Sequence, residues 1–350
     1  MNILILNTCL GEGFGAEGVL RHLLEGWDSK WGTLHVASPP ESGIAKSTKK
    51  KGVLDHPLYL KSNRIDHQIR GVLDLKKRLK NVSIDIVHAW TAREFDLTLL
   101  FPTSTIRTGT LHDHPCAEFH SWARRKLIRL SSNQFSALSC VSTAVVDACK
   151  ANGYKAPLKT LHNGLVDLKR PQKEPSPPLP LRIGFLGMYA DWKGFDLILP
   201  WIHELSAEPV EWKLFGTLSE RNKCLSTQLP KNATLMGWTS AENIWGNIDL
   251  LVHASTQFDP LPTVLIEAAR AGIPSIASTL GGSQEIIDHN ITGFLFDTHN
   301  PEDGLKSLKY LLNDPSKAKQ MSLAARNQFT TYFQVNKMTD SYRTFWKSLL

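Results

Sequence analysis

The stretch Phe258-Asp-Pro-Leu-Pro-Thr-Val-Leu-Ile-Glu-Ala-Ala-Arg-Ala-Gly-Ile-Pro-Ser-Ile-Ala277 carries the pattern that decides the fold. Pro260 and Pro262 keep its opening out of a helix, because a proline lacks the backbone N–H and fixes φ. From Thr263 to Ala271 the run is unbroken and mostly apolar, which predicts a helix. Gly272 and Pro274 end that helix, and Ser275-Ile-Ala277 launches an apolar strand. A helix that hands directly to a short buried strand is half of a crossover unit, so the stretch predicts a parallel sheet. It also holds two carboxylates. Asp259 stands at the mouth of the loop, and Glu267 falls eight positions later, in the expected first helical turn among Leu265, Ile266, Ala268 and Ala269.

The same alternation of short apolar runs, turn residues and longer amphipathic runs extends outward in both directions. Strands are predicted over 3–6, 33–37, 84–89, 108–111 and 137–141, and again over 182–186, 212–215, 233–236, 250–253, 275–278 and 293–296. Helices are predicted over 16–26, 66–80, 121–130, 143–151, 195–205, 263–271, 301–313 and 315–332. Between the two series lies Pro171-Gln-Lys-Glu-Pro-Ser-Pro-Pro-Leu-Pro180, whose five prolines forbid a helix or a central strand. The expected organisation is a first domain over 1–170, a linker over 171–180 and a second domain over 181–332. A last helix over 333–350, with Tyr342, Phe345 and Trp346 at helical spacing, is expected to cross back to the first domain.

Composition bounds the function. The 350 residues are 42% hydrophobic and 21% charged, values of a globular protein with ample core. No apolar run approaches the ~18–20 residues of a spanning helix. The five cysteines stand without a C-x-x-C pair, which argues against a disulfide framework or zinc site and fits a reducing cytosol. The net charge of +7 is uneven: through Arg170 there are 24 Lys and Arg against 15 Asp and Glu, and beyond it 16 against 18. Such a basic half suits nucleic acid, an anionic membrane or a phosphorylated substrate, or is simply a solvated surface. No recognition motif accompanies the charge, so nucleic acid is set aside.

Gly13-Phe-Gly15-Ala-Glu-Gly18 matches G-x-G-x-x-G after a strand and before a helix. A dinucleotide fingerprint needs an acidic residue about 20 positions on, at the end of the next strand. Ala37 and Ser38 stand there instead. The glycines then read either as a turn ahead of a helix or as small residues that let backbone N–H groups approach a phosphate. In the second half, Gly184-Phe-Leu-Gly187 closes a strand and Lys193-Gly194 opens a helix, at the carboxyl end of the sheet where doubly wound folds bind ligands. Alone, Asp259 and Glu267 read as helix-terminus carboxylates worth ~0.3–1 kcal/mol. Set beside Lys193, they read as hydrogen-bond acceptors for sugar and ribose hydroxyls, since a buried carboxylate is costly without such partners.

These segments together resemble the family 4 glycosyltransferases. They run from Gly13–Glu17 through His112, Asn163-Gly164, Gly187, Lys193-Gly194 and Asp259-x7-Glu267 to Gly281-Gly282, and they cover most of the chain. The resemblance implies an α/β protein of the GT-B fold, two Rossmann-like doubly wound domains facing a central cleft. It implies a retaining glycosyltransferase, expected in the cytoplasm, and peripheral on the inner membrane face where the basic stretch Arg124–Arg129 lies on an anionic membrane. The donor is expected to be a nucleotide-diphosphate sugar, without cofactor or metal, and the acceptor a glycan or lipid-linked molecule of surface polysaccharide or glycolipid assembly. Glu267 is expected to hold the donor ribose, and Lys193 the diphosphate. Asp259, with the backbone of Leu261, Pro262, Thr263 and Val264, is expected against sugar and diphosphate. Gly13, Gly15 and Gly187 are expected to line the donor site, and His112 to face the transferred sugar. The family retains anomeric configuration, chemistry that needs no protein nucleophile. One position departs: the family usually has an arginine after the glycine that ends the second domain's first strand, and Met188 stands here. Another basic residue substitutes, or donor binding is weaker. The alternatives are a nucleotide-sugar epimerase or hydrolase on the same fold, or a catalytically weak sugar-nucleotide-binding protein. Arg124-Arg-Lys-Leu-Ile-Arg129, with Trp122, Leu127, Ile128 and Leu130, reads either as a basic amphipathic helix on an anionic membrane or as a helix with one packed face.

Overall fold

A computed structural model describes residues 1–10, 15–47, 50–117, 121–167, 180–187 and 190–350. The chain divides into two compact units, Met1–Val166 with Phe333–Leu350, and Asp167–Tyr332. Residues 171–179 of the proline-rich stretch lie outside the described residues.

In the first unit, β1 (Asn2–Leu6), β2 (Thr33–Ser38), β3 (Val53–Pro57), β4 (Ile86–Ala89), β5 (Ile106–Leu111), β6 (Ala137–Cys140) and β7 (Leu158–Thr160) make a seven-stranded sheet in the order β3-β2-β1-β4-β5-β6-β7. Every pairing is parallel. Central strands are apolar on both faces, as a sheet covered by helices on both sides requires: Ile3, Leu4, Ile5 and Leu6 are all fully buried. The edge strand β3 was not expected. Its Asp55, His56 and Pro57 suppress the apolar signal, and only an edge tolerates them. The helix Val335–Lys347 belongs to this unit. Its Met338, Tyr342, Phe345 and Trp346 recur at helical spacing and enter the core with Ile3, Leu20 and Trp27. The Trp346 indole donates to His88 Nδ1 at 3.2 Å. Burial pushes His88 down to about 3, so it stays neutral among Thr108, Thr110 and Trp346.

In the second unit, β8 (Leu181–Leu186), β9 (Val210–Phe215), β10 (Ala233–Gly237), β11 (Leu250–His253), β12 (Ser275–Ser278) and β13 (Gly293–Phe296) pair in parallel in the order β10-β9-β8-β11-β12-β13. Helices Phe195–Glu204 and Pro301–Asn313 cover the sheet with Trp201, Ile202, Leu305 and Leu308. In both sheets the strand order reverses beside the first strand, between β1 and β4 and between β8 and β11, which opens a crevice at the carboxyl ends of those strands. The helix expected over 315–332 ends earlier, at Gln328, and a π turn Phe329–Phe333 follows. The Thr330 and Thr331 hydroxyls both turn back to the Asn327 carbonyl at 2.8 Å, a local bond that competes with the helical ladder.

Candidate functional site

The site is built where β8 and β11 diverge. After β8 the chain makes a turn at Asp191–Lys193, and Gly194 starts the helix Phe195–Glu204 with φ 79°. A Cβ on Gly194 would fall 2.0 Å from the Ala254 carbonyl oxygen, so the turn can sit on the end of β11 only with glycine there. A second clasp is the Thr256 N–H, which donates to the Trp192 carbonyl at 2.8 Å. These contacts fix Lys193 at the carboxyl ends of both strands. The loop after β11 brings Asp259 to the same place. Its backbone bridges Gly281, where φ is 77° and a Cβ would lie 2.0 Å from the Asp259 carbonyl oxygen. Gly282 N–H donates to that oxygen at 2.8 Å.

The charges then meet. Lys193 Nζ lies 2.9 Å from Asp259 Oδ2, and the two side chains are 12% and 10% exposed. The same ammonium stands 4.0 Å from the Trp192 ring centroid, a cation–π distance. His253, the last residue of β11, places Nε2 3.5 Å from Asp259 Oδ2 and 3.1 Å from Ser255 Oγ. Burial pushes the Asp259 carboxyl up, but His253 and Lys193 outweigh it and hold the group well below the usual carboxylate range. Burial also lowers His253, against the pull of Asp259, so the ring is neutral. Gly187 ends β8 with φ 105°, packed on the Lys193 stem.

The helix that follows the Asp259 loop is Thr263–Ala271. Its N-cap is Pro262, and no side chain caps it, so the leading N–H groups at Thr263 and Val264 are available to an anion. Leu261 and Pro262 are buried, and Thr263 and Val264 are part-buried. Glu267 departs from expectation in one respect. Because the helix begins at Thr263, it is the fifth helical residue and not in the first turn; most of its surface is buried, as expected. Burial still holds its carboxyl above the usual range, against the Arg270 charge and the Trp245 indole. Arg270 is braced in turn: its carbonyl accepts from Arg326 Nη1 at 2.7 Å, and Arg326 grips Asp167 with both terminal nitrogens at 2.7 Å.

In the first unit, His112 follows β5 and lies against Trp90, ring centroids 4.9 Å apart. Burial pushes it down to about 3, and among the described residues its buried Nε2 has no hydrogen-bond partner. Gly15 takes φ 63° at the start of the helix Ala16–Gly26. Gly13 and Met188 lie outside the described residues. The second unit thus brings together Gly187, Lys193 and Asp259, with Leu261 to Val264 and Glu267 on the continuing chain, whereas His112 and Gly15 belong to the first. Sequence reading missed His253, Ser255 and Trp192. A polar residue closing the apolar run Leu250-Leu-Val-His253, six positions before Asp259, was the available signal.

The helix Trp122–Ser132 inverts the expected arrangement of charge. Its arginines turn to the protein: Arg124 pairs with Asp96 at 2.9 Å, and Arg125 and Arg129 donate to the Cys116 and Asn152 carbonyls. Trp122, Leu127 and Leu130 face outward, 70%, 40% and 51% exposed. No described helix is long and apolar enough to cross a membrane, and no cluster of three metal-ligating side chains occurs among the described residues.

Against known families, residues 15–170 match Glycosyltransferase Family 4 and residues 167–328 match Glycosyl transferases group 1. An uncharacterized glycosyltransferase of Haemophilus influenzae is 27% identical over 49% of the chain and 48% of its own length. The sulfoquinovosyl transferase SQD2 of Arabidopsis thaliana is 28% identical over 45% of the chain and 31% of its own length. The chain thus spans less than half the length of these relatives. Among solved structures, Anabaena HepE in complex with UDP and glucose superposes with a TM-score of 0.81 at 18% identity, over 99% of this chain and 100% of that one. That likeness establishes the two-domain GT-B fold.

Proposed function

The chain belongs to the family 4, group 1 glycosyltransferases, and on that premise we propose that it transfers a hexose from a nucleotide-diphosphate donor with retention of configuration. The observation that carries this reading is Lys193: a part-buried cation at the carboxyl ends of β8 and β11, in the same unit as the uncapped helix start at Thr263. A departing nucleoside diphosphate gathers negative charge. Fixed cations and backbone amides in a water-poor site stabilise that charge without reorganising. Lys193 and the amides of Thr263 and Val264 take this part, and no metal is assigned. Glu267 accepts from the ribose hydroxyls. Asp259 lies against the sugar; in the first unit, His112, neutral and with no partner for Nε2 among the described residues, is the residue the family resemblance assigns to the transferred sugar. The leaving phosphate takes the acceptor's proton on the face it departs from, so no protein nucleophile is assigned. UDP-hexoses are the first donors to test, because the similar HepE was crystallised with UDP-glucose.

The acceptor in this reading is a glycan or lipid-linked molecule, in surface polysaccharide or glycolipid assembly at an anionic membrane. The support is the outward face of Trp122, Leu127 and Leu130 with Lys126 5.2 Å over the Trp122 ring, beside a cavity of about 720 Å³ lined by Ile65, Arg93, Arg124 and Leu127.

The test is thermal unfolding with UDP, GDP, ADP, their hexose derivatives and NAD as control, for the wild type and Glu267→Ala. The best donor is then assayed for transfer with and without anionic phospholipid vesicles. A ligand at a hundredfold its Kd stabilises by about 2.7 kcal/mol. We expect a shift with one nucleoside diphosphate and its sugar, lost in Glu267→Ala, and transfer that vesicles enhance. A shift with NAD alone, or with none, overturns the donor site. Donor consumed at the same rate without acceptor replaces transfer by hydrolysis.

A further inference from the structure

Asp259 has two partners with different freedom. Lys193 reaches it on a flexible four-carbon stem, whereas His253 is fixed by the ladder of β11, in register with Ala277 of β12. Ser255, whose Oγ lies at the same ring nitrogen, is itself anchored by Ser278 Oγ, which donates to its carbonyl at 2.8 Å. An entering diphosphate competes with Asp259 for the same ammonium protons of Lys193. If it takes them, a buried carboxylate loses its counter-charge, a costly state unless another donor replaces the lysine.

We propose that the Lys193–Asp259 ion pair is the resting state of the donor site, and that His253 is a positioning residue which holds Asp259 when the diphosphate draws Lys193 away. The inference rests on the donor reading above. At 3.5 Å the contact from His253 Nε2 to Oδ2 is at the outer edge of a hydrogen bond, so in the resting state it is poised and not yet closed. Nε2 faces two oxygens, Asp259 Oδ2 and Ser255 Oγ. A lone pair there would repel the carboxylate, so the neutral ring carries its proton on Nε2. A shift of Asp259 by a few tenths of an ångström (roughly the excess over an ordinary N–H···O length) closes the bond. Being neutral, the ring steadies the carboxylate without adding a cation that would hold the diphosphate after transfer.

The experiment is calorimetric titration of UDP, and separately of inorganic pyrophosphate, into the full chain as wild type, Asp259→Asn, His253→Leu and His253→Gln, followed by kcat and KM with the UDP-hexose found above. Asp259→Asn frees Lys193 and should bind both anions more tightly, about tenfold, while kcat falls. His253→Leu should bind them about three- to tenfold more weakly, the worth of one hydrogen bond to a charged group. His253→Gln, whose amide N–H reaches the Nε2 position, should restore affinity to within about twofold of wild type. A merely structural histidine would lower the melting temperature without opposing shifts in anion affinity. Wild-type affinity in His253→Leu, or weaker binding by Asp259→Asn, overturns the inference and leaves the donor reading intact. Should His253→Leu fail to fold, the Asp259→Asn and His253→Gln arms still decide. No binding of either anion by the wild type overturns the donor reading and this inference with it.

Discussion

Each sheet reverses its strand order beside its first strand, and beside each reversal stands a buried carboxylate, the two employed in opposite ways. Between β1 and β4 it is Glu94, which is fully buried. Its Oε1 accepts from Thr8 N–H at 2.9 Å and Thr8 Oγ1 at 2.6 Å, and its Oε2 from Thr91 N–H at 2.9 Å and Thr91 Oγ1 at 2.8 Å. Four neutral donors close the circuit and tie the two loops together, so Glu94 has nothing left to offer a ligand. Between β8 and β11 it is Asp259, whose partners are an ammonium at the end of a four-carbon stem and a histidine just out of full hydrogen-bonding range. The same topological position is a knot in one sheet and a latch in the other. What separates them is not burial but whether the partners can leave.

The largest expected effect breaks the latch. Lys193→Ala should lower the transfer rate by about 10²–10³-fold, the scale for losing one group that stabilises developing charge. Lys193→Arg should recover only part of it, because a planar fork does not place its nitrogens where one Nζ stood. Initial rates at saturating donor decide, and an active Lys193→Ala enzyme would remove Lys193 from the chemistry. The next effect cuts the knot. Glu94→Ala strands four donors and should cost about 3 kcal/mol of stability, measured by urea unfolding. Glu94→Gln should cost less, since it keeps acceptors for part of the set. If Glu94→Ala unfolds like the wild type but transfers nothing, the contrast between the two carboxylates is reversed.

Much of the sheet architecture was legible because buried parallel strands are short apolar runs between turn residues. β11, β12 and β13 fell on their expected bounds, as did the helices Ala16–Gly26, Thr143–Ala151, Thr263–Ala271 and Pro301–Asn313. What escaped was short or amphipathic by context. β7 has three residues, and helix Gly43–Ser47 has five, too few for any period to show. The family resemblance put Lys193 and Asp259 at the same diphosphate, but their direct ion pair was not legible, since 66 residues separate them and only the crossing of two strand ends unites them. His253 was hidden for the converse reason: at a strand end it reads as one more core position. The helix Trp122–Ser132 shows the limit of charge patterning. Sequence placed arginines and apolar residues on one helix, but only the positions of Asp96 and of the Cys116 and Asn152 carbonyls determine which face turns inward.

The smallest expected effect sharpens the comparison within the second unit, between Glu267 and Asp259. Their carboxyls are shifted in opposite directions, Glu267 up by burial and Asp259 down by its partners. Stability follows the shifts. The contribution of Asp259 is present above the unfolded carboxylate value near 4 and is lost only as pH falls through its depressed folded value. Glu267 works the other way: folding is favoured below the unfolded value, and that benefit is lost as pH rises through the raised folded one. Donor binding needs the ionised Glu267, because ribose hydroxyls donate to it. UDP affinity should therefore fall on the acid side through the raised value, at higher pH than an exposed glutamate would dictate. In Glu267→Gln this acid limb should flatten, affinity at neutral pH should drop about tenfold, and the melting temperature at neutral pH should hold or rise. Titrating UDP from pH 5 to 8 at constant ionic strength measures the limb. A profile unchanged by Glu267→Gln would show that another group contacts the ribose, leaving Asp259 as the carboxylate of this site with a role in donor binding.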